Sequence, residues 1–484
     1  NVRVELYNSA GNYVSSTTTD ASGLYSFTVS SGSYTVRVVN RTVSSSRTGA
    51  CTNPVNTGTC TQIPVQTFRT NVSSGSLVPL TDRVGGQNPT VQDPLNGASG
   101  TTMNTTTGVF SSGLTGTAQS ITNITVGASD IPNIDFGYNF DTIVNTNNSG
   151  QGSLRQFVIN SNALSNTGLA QVGQIPTKEV SIFMIPNAIA NAGHNTSYSN
   201  QLTTYGAARI VLTTALPNIT DSNTIIDGRT QTNNVKASTG LQTNEGQIGS
   251  GGFVGVSQTA LTKFDKTEVE IHASNIRTIN ASTTATNFEL RSIALSNTSA
   301  IINGNGSLIQ DTLVGMASNG DETGATYSNS YCLEVGGNTS NMTVRHNYVK
   351  CDNSGIRRDT DGSNMLVEYN EVDRPSAGQS NTYEAFLIIG GGLNDTAQYN
   401  LFKNMRGAGS ELGYNANAQV VNLFVQENTY HDNGKNLDGS PSNEPLGIIV
   451  RTIGSNSVLK IYRNIIARNG ATGVLVQNTN RVWI

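Results

Sequence analysis

Five stretches in the second half of the chain superpose without gaps: Met342-Thr-Val-Arg-His-Asn347-Tyr-Val, Met365-Leu-Val-Glu-Tyr-Asn370-Glu-Val, Asp395-Thr-Ala-Gln-Tyr-Asn400-Leu-Phe, Leu423-Phe-Val-Gln-Glu-Asn428-Thr-Tyr and Leu459-Lys-Ile-Tyr-Arg-Asn464-Ile-Ile. Three residues before each Asn stand Val344, Val367, Ala397, Val425 and Ile461. Two residues after it stand Val349, Val372, Phe402, Tyr430 and Ile466. Leu308, Asp311 and Leu313 form an earlier, weaker copy. The flanking apolar residues point inward on either side of a bend. An Asn at that bend is expected to adopt the left-handed conformation and to bond backbone. Stacked coil on coil, the Asn side chains satisfy one another's amides in a ladder.

The five asparagines are spaced by 23, 30, 28 and 36 residues. Three short strands and their turns need roughly 21 residues, so the excess is loop of variable length. A second Asn follows four of the five bends, at Asn353, Asn404, Asn433-Gly434 and Asn469-Gly470. A leucine-rich repeat would fix Leu at set positions with a steadier period, and a propeller blade would need Gly-His and Trp-Asp signals. The pattern predicts a right-handed, single-stranded parallel β-helix over residues 141–484, continuing past the C-terminal end of the chain.

The first 40 residues read differently. Val2, Val4 and Leu6 alternate, as do Tyr25, Phe27 and Val29, and then Tyr34, Val36 and Val38, with Gly-bearing turns between them. Period-2 alternation broken in this way predicts an antiparallel β-sandwich. The whole chain is therefore expected to be all-β. Its one good helix candidate is residues 153–163. There Ser153 and Gln156 fit a capping box, and Leu154, Phe157 and Val158 form an apolar stripe.

Two resemblances follow from these residues. Thr19-Asp20-Ala-Ser-Gly23-Leu-Tyr25-Ser-Phe27 and Gly32-Ser-Tyr-Thr-Val36 resemble the collagen-adhesin B-type (prealbumin-like) domains of bacterial surface proteins, and Asp135-Phe-Gly-Tyr-Asn-Phe140 resembles their closing strand. This assigns residues 1–140 to such a domain, with a Ser/Thr/Gly-rich insertion. The family's usual first strand is missing, which is expected if the chain is a segment of a larger polypeptide. Gly152-Ser-Leu-Arg-Gln156 resembles the segment that opens many bacterial surface β-helices of pectate-lyase-like repeat, where a short helix caps the rod.

Only 12% of residues are charged, against roughly 25% in ordinary soluble domains. The net charge of −4 offers nothing to nucleic acid or an anionic membrane. No apolar run approaches the roughly 20 residues of a membrane span. Cys51 and Cys60 close a short loop, and Cys332 and Cys351 lie about one coil apart. Neither pair has zinc-site spacing, so structural disulfides in an oxidising compartment are expected, with Cys332 and Cys351 open between a disulfide and free core positions.

Chemistry is sparse in the sequence. Arg357-Arg358-Asp359-Thr-Asp361-Gly362 and His431-Asp432 are the best clusters. Asp359 and Asp361 are calcium candidates, since alternate oxygen donors converge on that ion; a solvated turn is the simpler reading, and no other cofactor is expected. The Asp clusters of β-helix polysaccharide enzymes are absent, so the chain is not expected to be an enzyme. The expected function is a structural or adhesive extracellular protein of a bacterial surface, self-associating into a filament, stalk or sheath. The alternatives are a secreted polysaccharide lyase or hydrolase, with Arg358, Asp359 and Asp361 as its residues, and a rod that binds glycan without turnover.

Overall fold

The computed structural model describes residues 1–51, 60–94, 100–322, 331–350, 353–359, 361–376, 383–414, 421–451, 453–454, 456–477 and 481–484. Packing divides these into two units, Asn1–Leu202 with Thr230–Thr243, and Thr203–Arg229 with Asn244–Ile484. The expected boundary at 140/141 falls inside the first unit.

In the first unit Tyr13–Thr18, Arg3–Asn8, Gly32–Val38 and Ser120–Val126 form one antiparallel sheet in that order. Ser76–Leu80, Val65–Ser73 and Phe136–Asn139 form a second. The register Val4↔Val38 and Leu6↔Val36 puts the alternating apolar residues on one face. They pack there with Ile134, Val72, Leu77 and Phe136. The opposite face carries Glu5, Tyr7 and Arg37, against which Asp93, Met103, Phe110, Ala118 and Ile121 pack. Arg37 is fully buried and bridges Glu5 (2.8 Å) and Asp93 (3.1 Å). Phe136–Asn139 closes the sandwich as its sequence suggested. Residues 24–30 do not form the expected strand. Tyr25, Phe27 and Val29 still pack on the core, so the alternation reported burial rather than a ladder.

The helix runs Leu154–Ala163 with Ser153 as its N-cap, the Ser153 hydroxyl accepting from the Gln156 N–H at 3.1 Å. The other half of the capping box is not made. The Gln156 amide donates instead to the Thr61 carbonyl (2.7 Å) and to Asn160 (2.8 Å), tying the helix to the segment after Cys60. Cys51 and Cys60 are disulfide-bonded.

The second unit is a parallel β-helix. One sheet stacks Thr224–Asp227, Glu289–Arg291, Leu308–Gln310, Thr343–Arg345, Leu366–Glu368, Asp395–Gln398, Asn422–Gln426, Val458–Tyr462 and Val482–Trp483. Its inner row is Ile309, Val344, Val367, Ala397, Val425 and Ile461, none more than 2% exposed. A second sheet forks at the long strand Ala294–Ile302. One branch stacks Leu313–Val314, Tyr348–Lys350, Glu371–Asp373, Leu401–Lys403, Thr429–His431 and Ile465–Ala467. The other stacks Leu333–Val335, Ile356–Arg358, Phe386–Ile388, Ser410–Leu412, Leu446–Val450 and Thr472–Val476. Each coil thus contributes one strand to each of three faces.

The asparagine ladder forms at the bend between the first sheet and the first branch. Asn347 donates its side-chain amide to Asn370 (2.9 Å), Asn370 to Asn400 (3.0 Å), Asn400 to Asn428 (2.8 Å) and Asn428 to Asn464 (3.1 Å). Each acceptor oxygen also takes the backbone N–H of the preceding Asn. The left-handed residue is not the Asn, as the sequence suggested, but the one before it: His346, Tyr369, Tyr399, Glu427 and Arg463 have φ between 50° and 57°. The kink turns the Asn side chain inward, where its amide meets the next coil. A non-glycine residue there costs about 1–2 kcal/mol, and the Asn bonds offset it. The second bend has a shorter ladder. Asn433 and Asn469 supply it, and Asn404 instead takes the left-handed position, with φ 59°. Cys332 is buried and disulfide-bonded. Cys351 lies outside the described residues.

Residues 247–265 form a long hairpin, Gln247–Ile248 pairing Phe264–Asp265 and Gly252–Val254 pairing Thr259–Leu261. It lies along the outer side of the first branch. Phe264 stacks on Tyr348 at 5.5 Å, and the N–H groups of Ser250 and Ser257 donate to Glu371 and Glu427, each at 2.8 Å.

Candidate functional site

On the face turned away from the coil interior the second branch carries a mixed row, Glu334, Arg357, Leu387, Glu411 and Ile449, each 9% exposed or less. Beside it a pocket of about 540 Å³ opens. Its walls include Tyr331, Tyr383, Tyr414, Arg406 and three glutamates, Glu384, Glu411 and Glu444. The glutamates come from three successive coils. Glu384 stands just before Phe386–Ile388, Glu411 lies within Ser410–Leu412, and Glu444 precedes Leu446–Val450. Parallel stacking at strand spacing converts residues 27 and 33 apart in sequence into neighbours with carboxylate oxygens within 4.8 Å of one another.

Their environments differ. Glu384 is 4% exposed, and its Oε2 accepts from the Ser354 hydroxyl at 2.8 Å. Burial, and then the negative charge of Glu411, push its carboxyl up to about 8. Glu411 is also buried, but Arg451 donates to its Oε1 at 2.5 Å and to Glu444 at 2.8 Å. A cation thus already lies against Glu411 and Glu444, supplied by the chain itself. The aromatic walls are open to solvent: Tyr383 is 49% and Tyr414 53% exposed. The arrangement can hold one protonated and one ionised carboxyl at neutral pH, the usual division between an acid and a base or nucleophile.

The residues singled out in the sequence lie elsewhere. Arg358 points into the coil, is fully buried, and pairs with Asp395 through two bonds of 2.6 and 3.1 Å. Asp359 pairs with Arg357. Asp361 is exposed and accepts the Gly391 N–H at 2.9 Å. Among the described residues the one group of three metal-capable side chains is the glutamate trio, so no third such group joins Asp359 and Asp361. His431 contacts Asp432 at 2.9 Å, and Lys435 and Arg468 hold the same carboxylate. Burial works against its charge, but these hydrogen bonds hold Asp432 well below the usual range. It is an ion-pair cluster on the outer surface rather than a dyad facing a cavity.

Glu384, Glu411 and Glu444 carried a faint signal. Their separations of 27 and 33 fall within the range of 23 to 36 spanned by the one-coil spacings of the asparagines. No motif marks them, because they stand at different positions within their coils. No family model matches the chain.

Proposed function

We propose that the protein is an extracellular rod of the adhesive type found on bacterial surfaces, and that it holds a saccharide in the Tyr383/Tyr414 pocket. The observation that carries this reading is the pocket itself. It is concave and lined by exposed aromatic rings, which stack on the apolar faces of sugars, and by carboxylate and guanidinium groups, which bond hydroxyls. The Cys51–Cys60 disulfide and the low charge content suit an oxidising exterior. Among the described residues no helix is long and apolar enough to cross a membrane. The resemblance of residues 1–140 to collagen-adhesin B-type domains supports a surface role. Tyr13–Thr18 forms the outer edge of its sheet, an edge on which a second copy adds a strand in the filament reading.

The test is calorimetric titration of the full chain with neutral, amino-bearing and uronic oligosaccharides. At least one class should bind, and Tyr383→Ala with Tyr414→Ala should weaken it by tenfold or more, since each ring contact contributes about 1 kcal/mol. Binding that is indifferent to both rings would move the site elsewhere.

A further inference from the structure

Resting on that reading of the pocket, we propose that it also cleaves the saccharide it holds, as a retaining glycoside hydrolase in which Glu384 is the acid and Glu411 the nucleophile, acting on neutral or amino-bearing sugars rather than on polyuronates.

Three features beyond the presence of carboxylates argue for this. First, the two groups line one cavity whose Tyr383 and Tyr414 walls are solvent-exposed, while Glu384 and Glu411 themselves are 4% and 3% exposed. Second, their oxygens lie within 4.8 Å. That upper bound on one oxygen pair falls short of the roughly 6.5–9.5 Å that inverting enzymes need between carboxyl groups to admit a water, and so favours the retaining arrangement. Third, each group has its own fixed partner. Ser354 orients Glu384 from one side, and Arg451 keeps one oxygen of Glu411 in an ion pair. The raised carboxyl of Glu384 then leaves it protonated at neutral pH.

The steps balance without any other reactant than water. A Glu411 oxygen attacks the anomeric carbon as the glycosidic C–O bond breaks. The leaving oxygen keeps the electron pair and takes the proton of Glu384. Water then adds to the anomeric carbon and gives a proton back to Glu384, and the ester bond to Glu411 breaks with its electrons returning to the carboxylate. The substrate class follows from charge. Three carboxyl groups line the pocket, Arg406 is its one lining guanidinium, and Arg451 is engaged by Glu411 and Glu444. A polyuronate chain would meet net negative charge there. A hydroxyl- or amino-bearing sugar would not.

The experiment uses the full chain and aryl glycosides of neutral hexoses, hexosamines and uronic acids, with calorimetry on the matching free oligosaccharides. The expected result is turnover of a neutral or amino-bearing glycoside, with the first product anomer retained by NMR. Glu384→Gln keeps the shape and the Ser354 bond. It should lower kcat by a hundredfold or more on a natural oligosaccharide, while binding changes only a few-fold. Glu411→Gln should abolish turnover, and Asp361→Asn should leave it unchanged. Saccharide bound without turnover would overturn the hydrolase and leave the binding rod standing. Neither binding nor turnover would overturn both. Turnover that survives Glu384→Gln and Glu411→Gln, is lost in Asp361→Asn, or yields unsaturated uronate would overturn the assignment of these residues.

Discussion

The two branches of the forked sheet leave the same strand, Ala294–Ile302, and meet their outer surroundings differently. The first turns Leu313, Tyr348, Glu371 and Leu401 outward, and the hairpin at residues 247–265 covers the apolar ones with Val254, Leu261 and Phe264 and bonds Glu371 through the Ser250 N–H. The second turns Glu334, Arg357 and Glu411 outward between Leu387 and Ile449, and a pocket opens beside it. An apolar outer row needs a cover, because a two-sided apolar sheet would otherwise face water. The mixed row of the second branch is also buried, each member 9% exposed or less, but its Leu387 and Glu411 line the pocket beside Tyr383 and Tyr414. The difference therefore separates a branch sealed by a hairpin from one bordered by a cavity.

The largest effect should come from the side that both branches share, the interior. Arg358, at the inner end of a strand of the open branch, is held only by buried groups, chiefly Asp395. Asp395→Ala strands that guanidinium and also removes the acceptor of the Met365 N–H. Loss of one partner of such a pair costs about 3–5 kcal/mol, to be read by denaturant unfolding of the coils around residue 358. Arg358→Met combined with Asp395→Leu should recover most of the loss. If Asp395→Ala alone proved neutral, the open branch would not depend on its interior for stability.

The covered branch gives the next test. Phe264 is 1% exposed and lies between His346 and Tyr348. Phe264→Ala should cost about 3 kcal/mol. Because the hairpin is an external cover, that loss should appear locally: hydrogen exchange should rise first in residues 247–265 and in Tyr348–Lys350, with the asparagine ladder still protected. Uniform loss of protection on both branches would erase the distinction between them.

The ladder was legible because it repeats. Asn347 to Asn464 share one position in every coil, so a gapless alignment exposes them, and the inner rows at Val344 and Val349 come with them. The left-handed residue was misplaced by one because no composition marks it: His, Tyr, Glu and Arg occupy it. The pocket was not legible for the opposite reason. Glu384, Glu411 and Glu444 hold unequal positions in their coils and become neighbours only once loops of different length are closed. The hairpin cover was hidden too, since residues 247–265 are bonded to groups more than 100 positions away, such as Glu371 and Glu427. Asp359 and Asp361 attracted notice by proximity in sequence, yet their carboxylates are engaged separately, one by Arg357 and the other by the Gly391 N–H.

Taken per pH unit, the smallest effect sharpens the comparison most, because it isolates one proton beside the pocket. Glu384 has its carboxyl raised to about 8, by burial first and then by Glu411. In the unfolded chain it titrates near 4.5. Between those two values the folded state keeps a proton that the unfolded state has lost. Stability from this group is therefore full below about pH 4.5 and is lost as pH rises through 8. One proton contributes a slope of at most about 1.4 kcal/mol per pH unit. Glu179, raised to about 9 by burial and by Asp141, acts in the same direction in the first unit. Hydrogen exchange resolved by residue separates the two. Protection around Phe386–Ile388 and Ser410–Leu412 should fall from pH 5 to pH 8, and Glu384→Gln should flatten that decline. On the covered branch Lys403 sits against Glu371 at 2.8 Å and against Asp373 at 3.5 Å, and the Leu401–Lys403 region should show no matching decline. A pH dependence shared equally by both branches would mean that the proton is not held at Glu384.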